Sequence, residues 1–441
     1  MFEKKSIFNL FQRINSYEYG RMVIKNSTYD FLNSIIAKIG SLFFTIVLAR
    51  MLMPELFGLY NLAMSTILII GSFAVLGTNE TLVKFVSQDL GKRKRNIRSI
   101  VVYLWKIRLM ILGIACVTIL FSARFISSGL YHKGITFALV GGIFYLVFMN
   151  FSSFLQSVFY SFNKINIAFY KEIIFQITRI ILVFFGIILT SNYPNDVRLF
   201  FIFVLLGLSY LCSDLYLFLR LGREPSMRKT NFSIGKKYKL KINNFLVLTS
   251  SVLLSGVFFS YIDKIMLGHY VGAEFIGYYS AAFGIVSSIA VISGFGAAFL
   301  PIFSRMNRLD LDNILGKALK ITFIMSLMMF FLTLISSRYF IPLIYGQGYA
   351  QSTSIAIILS PLIILLPLIG VFSSYFLSIE KQRILSKILV ITTLINLSLN
   401  FIFIKSLMVF GDLAMVYGVC FATIISQIYY FFALYYHSKK E

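Results

Sequence analysis

The sequence predicts an all-α, polytopic membrane protein with twelve transmembrane helices, arranged as two six-helix bundles around a central cavity. Of its 441 residues, 58% are hydrophobic and 13% are charged, whereas a soluble protein carries about 25% charged residues. The mean hydropathy is +0.84, and a soluble protein of this composition would expose large apolar patches and aggregate. The apolar residues fall in runs long enough to cross a bilayer, and the basic residues lie between those runs.

The elements follow in chain order from apolar runs bounded by charges or by Gly/Pro clusters. Residues 1–29 form an N-terminal segment in which Ile7, Leu10, Phe11 and Ile14 have helical spacing, which predicts a helix lying on the inner leaflet. The N-terminal bundle, 30–219, contains predicted spans at 30–51, 57–87, 99–122, 134–161, 166–190 and 197–219. A basic cytoplasmic linker, 220–243, precedes the C-terminal bundle, 244–436, with spans at 244–268, 275–303, 319–337, 352–378, 385–404 and 411–436, and a cytoplasmic tail, 437–441.

The basic residues predict the orientation. Of the 41 Lys and Arg residues, 28 fall in the N-terminal segment, every second connection and the C-terminal tail, whereas six fall in the alternate connections. Cytoplasmic segments hold the excess of Lys and Arg, so both termini are predicted to be cytoplasmic in a cell membrane. The net charge of +24 therefore indicates contact with anionic lipids at the cytoplasmic face and not with nucleic acid.

An internal repeat supports the division into halves. The segment ELFGLYNLA at 55–63 aligns with EFIGYYSAA at 274–282 at a constant offset of 219 residues. Each copy lies at the outer turn between the first and second spans of its half. The repeat predicts two halves related by an axis along the membrane normal, and chance similarity between two apolar, aromatic segments is the alternative.

Ionisable residues within the predicted spans indicate function, because each costs about 2.5–3.5 kcal/mol to insert on translocon scales. Lys38 and Arg179 lie deepest, near mid-bilayer, which favours a cavity role. Lys106 and Arg108 follow Trp105 near the cytoplasmic end, where snorkelling to the interface is expected. The candidate ion-coupling or counter-ion residues are Glu80, Glu172, Asp214 and Asp263, and the candidate cations of the cavity include Lys84 and Lys264.

Each of these residues also has a structural interpretation. Glu80 and Lys84, spaced i,i+4, form either a structural pair on one helix face or part of the site. Asp263 and Lys264 near the outer end suit gating or pairing between the halves as well as substrate contact. The prolines at 361 and 367, and at 301 after Gly294 and Gly296, predict kinks in two spans that act either as hinges or as static packing features. Three isolated cysteines and three separated histidines predict no disulfide framework, metal site or cofactor.

Two segments resemble the polysaccharide flippases of the multidrug/oligosaccharidyl-lipid/polysaccharide exporter superfamily. They are LARMLMPELFGLY at 48–60 and DKIMLGHYVG at 263–272, the latter followed by GYYSAA at 277–282. Met53 stands where family members often carry Gly before the proline. The resemblance implies two bundles that move an oligosaccharide, linked to a polyprenyl (di)phosphate, from the inner to the outer leaflet. The family's cationic cavity residues would be carried here by Lys38, Arg50, Lys84 and Arg179.

Alternative functions remain open. A drug or metabolite exporter of the same superfamily would share the fold, although an exporter of organic cations needs an acidic cavity. A membrane glycosyltransferase or polymerase is disfavoured because the longest outer loop, near 338–351, has only Arg338 besides tyrosines as an ionisable residue. Transport is expected to use a proton or sodium gradient or the membrane potential, and glycan-assembly enzymes are possible partners.

Overall fold

The computed structural model describes residues 18–91, 97–224, 235–294, 299, 303 and 308–440, and most of them are helical. The predicted interfacial helix around Ile7–Ile14, the middle of the basic linker and Pro301 lie outside the described residues. The helices are α1 Glu18–Val75, α2 Thr78–Gly91, α3 Ile97–Arg124, α4 Thr136–Ser161, α5 Ile165–Leu189, α6 Asn195–Leu221, α7 Lys236–Tyr270, α8 Ala273–Ser293, α9 Arg308–Tyr345, α10 Ser352–Leu359, α11 Leu362–Ser378, α12 Gln382–Leu407 and α13 Asp412–Lys440.

Helix α1 contains two antiparallel spans. Its backbone is non-helical at Met53, with φ 59° and ψ 169°, a conformation that glycine adopts far more readily than methionine. The two ends of the stretch from Asn26 to Ser87, which runs through α1 into α2, lie at the same level of the membrane. The Asn26 amide donates to the backbone oxygen of Asn163 (3.0 Å), and the Ser87 hydroxyl donates to that of Ser161 (3.1 Å). The chain therefore reverses at Met53.

The described helices account for the twelve predicted spans. Within the described residues, nine helices are long and apolar enough to cross a bilayer, and the bent pair α10–α11 makes ten. The 66-residue stretch Lys25–Leu90 counts once in that total but crosses twice. Helix α7 adds the twelfth span. Its Tyr238 hydroxyl donates to Asp89 Oδ1 (2.9 Å) at one side, and its Gly268 oxygen accepts from Lys133 Nζ (2.6 Å) at the other.

The kink predicted in the tenth span is present. Helices α10 and α11 meet at an angle of 43°, and Pro361 directly precedes the first residue of α11. Proline lacks an N–H and cannot continue the α10 hydrogen-bond ladder, so the span breaks there. Pro367 lies inside α11 and packs against Gly294, where an added Cβ would lie 2.9 Å from the Pro367 Cβ.

The two copies of the internal repeat pack against each other. A Cβ added to Gly58 would lie 1.8 Å from the backbone oxygen of Ala273, and one added to Gly277 would lie 2.1 Å from that of Pro54. Gly58 and Gly277 are equivalent in the repeat, and so are Pro54 and Ala273, so each half makes the same contact with the other. We call this contact the glycine seam. Only glycine permits such close helix packing.

The glycine seam lies at the side of the membrane opposite the beginning of α1 and the end of α13. There, one hydrophobic core is shared by both halves, with Leu48, Leu62 and Phe203 from the first half and Ile276 and Val419 from the second. Toward the side where α1 begins and α13 ends, which we call the basic side, the described cores of the two halves are separate. The exception is the start of α7, which packs on α2 and α3. The halves are thus joined at the seam and diverge toward the basic side.

Candidate functional site

A polar stripe follows one face of the first span. Ser27, Ser34, Lys38 and Ser41 are all exposed, and their spacing of seven, four and three residues places them on the same face of α1. Lys38 is twelve residues from Asn26 and twelve from Arg50, or about 18 Å from each end of the span. Lipid does not accommodate exposed polar side chains at mid-depth. This face of α1 therefore lines the cleft between the halves.

Arg179 lies at the same depth on α5, on the buried side of α1. Its side chain is 9% exposed, and its guanidinium carbon lies 4.2 Å from the centre of the Phe44 ring and 5.1 Å from that of Phe175. No carboxylate lies within ion-pair distance of Arg179 in the described part of the chain. Its Nε has no hydrogen-bond partner there either. Arg179 is therefore a buried cation whose charge is not compensated by an ion pair.

A chain of polar side chains connects Arg179 to a second buried cation on the same helix. Arg179 Nη2 donates to Gln176 Oε1 (2.5 Å), and Gln176 Nε2 donates to Glu172 Oε1 (2.6 Å). Glu172 Oε2 lies 3.6 Å from Lys171 Nζ. Lys171 in turn donates to Gln156 Oε1 of α4 (3.4 Å). Glu172, Gln176 and Arg179 are four and three residues apart, so they occupy one face of α5.

Aromatic rings surround this polar chain. Phe175 stacks on Tyr210 with ring centres 4.1 Å apart, and Tyr145 lies 5.8 Å from Tyr210. The buried carboxylate of Asp214, on α6, interacts electrostatically with Lys171. The structure thus brings Glu172, Asp214 and Arg179, three of the predicted residues, into one region of the N-terminal bundle.

Asp263 organises a separate polar cluster inside the C-terminal bundle. Its Oδ1 accepts from Asn400 Nδ2 (2.7 Å), and its Oδ2 accepts from the hydroxyls of Tyr279 (2.7 Å) and Thr423 (2.8 Å). Asn396 Oδ1, one turn from Asn400, accepts a further hydrogen bond from it at 3.2 Å. The carboxylate is 5% exposed, and within the described ranges no Lys or Arg nitrogen lies within 4.0 Å of it. Asp263 is thus a buried carboxylate held by neutral hydrogen-bond donors.

The other predicted residues lie away from these two clusters. Arg50 donates to the backbone oxygen of Ile344 (2.5 Å) and to that of Leu343, at the seam side of the membrane. Lys84 lies over the Phe245 ring at 3.8 Å, and the described residues contain no Glu80–Lys84 ion pair. Lys264, partly buried, lies near the Tyr261 ring (5.9 Å). Substrate-binding roles for these cations, and a coupling role for Glu80, stay predictions.

The expectation that Arg108 snorkels to the interface is wrong. Arg108 is 0% exposed and donates to Thr78 Oγ1 (3.1 Å), Asn79 Oδ1 (2.6 Å) and Asn150 Oδ1 (3.0 Å). Thr78 and Asn79 begin α2 directly after a break at Leu76 and Gly77, both with positive φ. The guanidinium therefore stabilises the broken second span. Its position near Trp105 gave no sign of the three neutral partners, which lie on other helices.

Side chains beside the glycine seam also join the halves. Lys133 Nζ donates to the backbone oxygen of Gly268 (2.6 Å), and His269 Nδ1 lies 2.5 Å from the backbone oxygen of Leu130. Burial lowers the pKa of the Lys133 ammonium, whereas the charges of Asp412 and Glu274 raise it to a smaller extent. Sequence reasoning did not select Lys133, and it also missed Gln176 and Thr423, because a polar residue that contacts distant helices carries no local signal.

The comparisons with known proteins agree with the fold. A profile of the family described as "polysaccharide biosynthesis protein" matches residues 23–307. The structure is similar to the inward-facing conformation of a multidrug resistance MATE family transporter of the MOP superfamily, with a TM-score of 0.70 at 15% identity, covering 91% of this chain and 94% of that one. It is also similar to the lipid II flippase MurJ in an inward closed conformation, with a TM-score of 0.68 at 18% identity, covering 93% and 87%.

A third similar structure is an outward-facing conformation of a multidrug resistance MATE family transporter of the MOP superfamily, with a TM-score of 0.59 at 15% identity, covering 94% of this chain and 95% of that one. No curated protein matches the chain by sequence. The fold is therefore that of MOP-superfamily transporters, as predicted, and the chain is a multi-pass membrane protein.

Proposed function

Because this chain belongs to the polysaccharide biosynthesis protein family, we propose that it is a flippase for an oligosaccharide linked to a polyprenyl (di)phosphate. It carries this substrate from the inner to the outer leaflet of the cell membrane by alternating access. The basic side, with both termini, faces the cytoplasm in this proposal, since cytoplasmic segments hold the excess of Lys and Arg. The protein acts as a transporter and not as an enzyme.

The uncompensated charge of Arg179 carries the proposal. A carrier diphosphate bears about two negative charges, and a guanidinium binds phosphate oxygens through charge-assisted hydrogen bonds. Arg179 lies at mid-depth with no carboxylate partner in the described part of the chain, and Lys38 lines the cleft at the same depth. A buried cation without a partner is costly, so an anionic ligand stabilises this region. A carrier of organic cations would require the opposite charge.

Reconstituted transport tests this function. Vesicles containing the protein and a fluorescent polyprenyl-diphosphate oligosaccharide are expected to expose substrate to an impermeant quencher faster than protein-free vesicles do. A drug exporter is the second outcome, detected as protein-dependent movement of a cationic dye in the same vesicles. Dye transport together with substrate exposure no faster than in protein-free vesicles would assign the protein to drug export.

The Asp263 cluster is our proposed site of coupling to a proton or sodium gradient. An inside-negative potential also favours outward movement of two negative charges, by up to about 4.6 kcal/mol per 100 mV. The membrane potential and an inward proton or sodium gradient would therefore both favour export. Burial without a cationic partner favours binding of a proton or a cation, while the hydrogen bonds from Tyr279, Thr423 and Asn400 stabilise the bare carboxylate. We propose that the cluster alternates between these two states. Because the cluster lies in the C-terminal bundle, the coupling ion would bind apart from Lys38 and Arg179, the cations proposed to bind the substrate.

Asp263→Asn is expected to abolish the stimulation of transport by an imposed proton or sodium gradient. The amide mimics a permanently neutral carboxyl, so the cluster no longer gains or loses charge during the cycle. Binding of a polyprenyl diphosphate to the detergent-solubilised variant should be retained, since Arg179 is unaffected. Glu274→Gln, which changes a carboxylate beside the glycine seam, is the matched control. A gradient response in Asp263→Asn equal to that of the wild type would contradict the assignment.

A further inference from the structure

Gln176 occupies the position between the buried cation and the nearest carboxylate of the polar chain on α5. Its Oε1 accepts from Arg179, and its Nε2 donates to Glu172. The orientation of the amide is fixed by chemistry, because a guanidinium can only donate and an ionised carboxylate can only accept. Gln176 thus contacts both charged groups and carries no charge itself.

Gln176 is also held in place by the first span. A Cβ on Gly40 would lie 2.6 Å from Gln176 Oε1, so glycine at this position allows the amide to approach the α1 backbone. Gln176 Nε2 also lies 3.4 Å from the backbone oxygen of Ala37. The side chain is 6% exposed. These contacts leave the amide little freedom to swing away from the gap between Arg179 and Glu172.

From this geometry we infer that Gln176 is a positioning residue that separates Arg179 from Glu172 and so keeps the guanidinium available to an anionic substrate. The inference rests on the proposed function, since it assigns Arg179 to the substrate diphosphate. Glu172 Oε2 lies 3.6 Å from Lys171 Nζ, so the charge of Glu172 is balanced by Lys171. If a carboxylate stood at position 176 instead, it would pair with Arg179 directly and compete with phosphate for the same N–H groups.

Gln176→Glu tests the inference, because it keeps the size and the Oε1 acceptor of the side chain while replacing the Nε2 donor with a charged carboxylate oxygen. The probe is geranylgeranyl diphosphate, whose binding to the purified protein is measured by microscale thermophoresis in detergent. The substitution is expected to raise the Kd roughly tenfold or more, since a charge-assisted hydrogen bond contributes about 1.5–3 kcal/mol. Gln156→Glu is the matched control. It adds the same charge beside Lys171, and its Kd should change less than that of Gln176→Glu.

A second variant keeps the test decisive if Gln176→Glu folds poorly. Glu172→Gln combined with Gln176→Glu exchanges the two groups and preserves the net charge of the bundle. A merely structural role for Gln176 predicts equal probe affinity whenever the exchanged protein is folded. Our inference predicts weaker binding at an unchanged melting temperature. A Kd equal to that of the wild type in either variant would overturn it, and a wild type that does not bind the probe would overturn the proposed function as well.

Discussion

Replacing Arg179 with glutamine is expected to reduce transport of a polyprenyl-diphosphate oligosaccharide by about 100-fold, the largest effect of any single side chain in the N-terminal bundle. The change removes the charge but leaves a donor and an acceptor for Gln176. A charge-assisted contact contributes up to about 3 kcal/mol, which corresponds to about two orders of magnitude in affinity. The initial rate of substrate exposure in proteoliposomes measures the effect.

Two further variants test whether the loss of transport is specific to the guanidinium of Arg179. Arg338→Gln removes an exposed arginine at the seam side and should transport at close to the wild-type rate. Arg179→Lys should recover part of the activity, because lysine restores the charge without the planar pair of donors. Folded Arg179→Gln protein that transports the substrate at the wild-type rate would contradict the assignment of Arg179 to the diphosphate.

Replacing Gly58 with leucine is expected to abolish transport by preventing the halves from closing at the glycine seam. Even the Cβ would lie 1.8 Å from the backbone oxygen of Ala273, less than any non-bonded contact allows, and a backbone oxygen in a packed helix cannot move aside cheaply. The protein should therefore populate outward-facing conformations. Spin labels at Ser128 and Met408, both exposed near the seam side, should give longer distances than in the wild type.

The internal repeat supplies a stringent companion variant. Gly277→Leu should have the same effect as Gly58→Leu, since an added Cβ there meets the backbone oxygen of Pro54 at 2.1 Å. Gly113→Leu is the control, because no atom lies within 4 Å of the position where its Cβ would be built. Wild-type distances and wild-type transport in both seam variants would show that the seam does not close during the cycle.

The twelve spans could be predicted from the sequence because the bilayer imposes one length and one sign of flanking charge on every span. Chain reversal at Met53 was predictable for the same reason, even though the helix is nearly continuous through it. The depth of a residue in the membrane could also be predicted, since a helix rises 1.5 Å per residue. Lys38 and Arg179 accordingly lie at the same level of the membrane.

Partners across helices could not be predicted. The spacing of Glu80 and Lys84 is that of an ion pair, yet Lys84 lies over Phe245 of α7. Arg108 lies near an interface in sequence, yet its three neutral partners lie on two other helices, α2 and α4. Such contacts depend on how helices far apart in the chain are rotated against one another. The sequence of a membrane protein does not indicate this rotation, because the lipid-facing and buried faces of its helices have a similar apolar composition.

The glycine seam also has the form of an interface between two identical subunits. Each half presents the same four-residue spacing to the other, Pro54 to Gly58 against Ala273 to Gly277, so the contact is self-complementary. A self-complementary patch is the kind of surface through which two identical subunits form a symmetric dimer. In this protein the two partners of such a contact are the two halves of one chain, so a pairing that would otherwise depend on protein concentration is intramolecular.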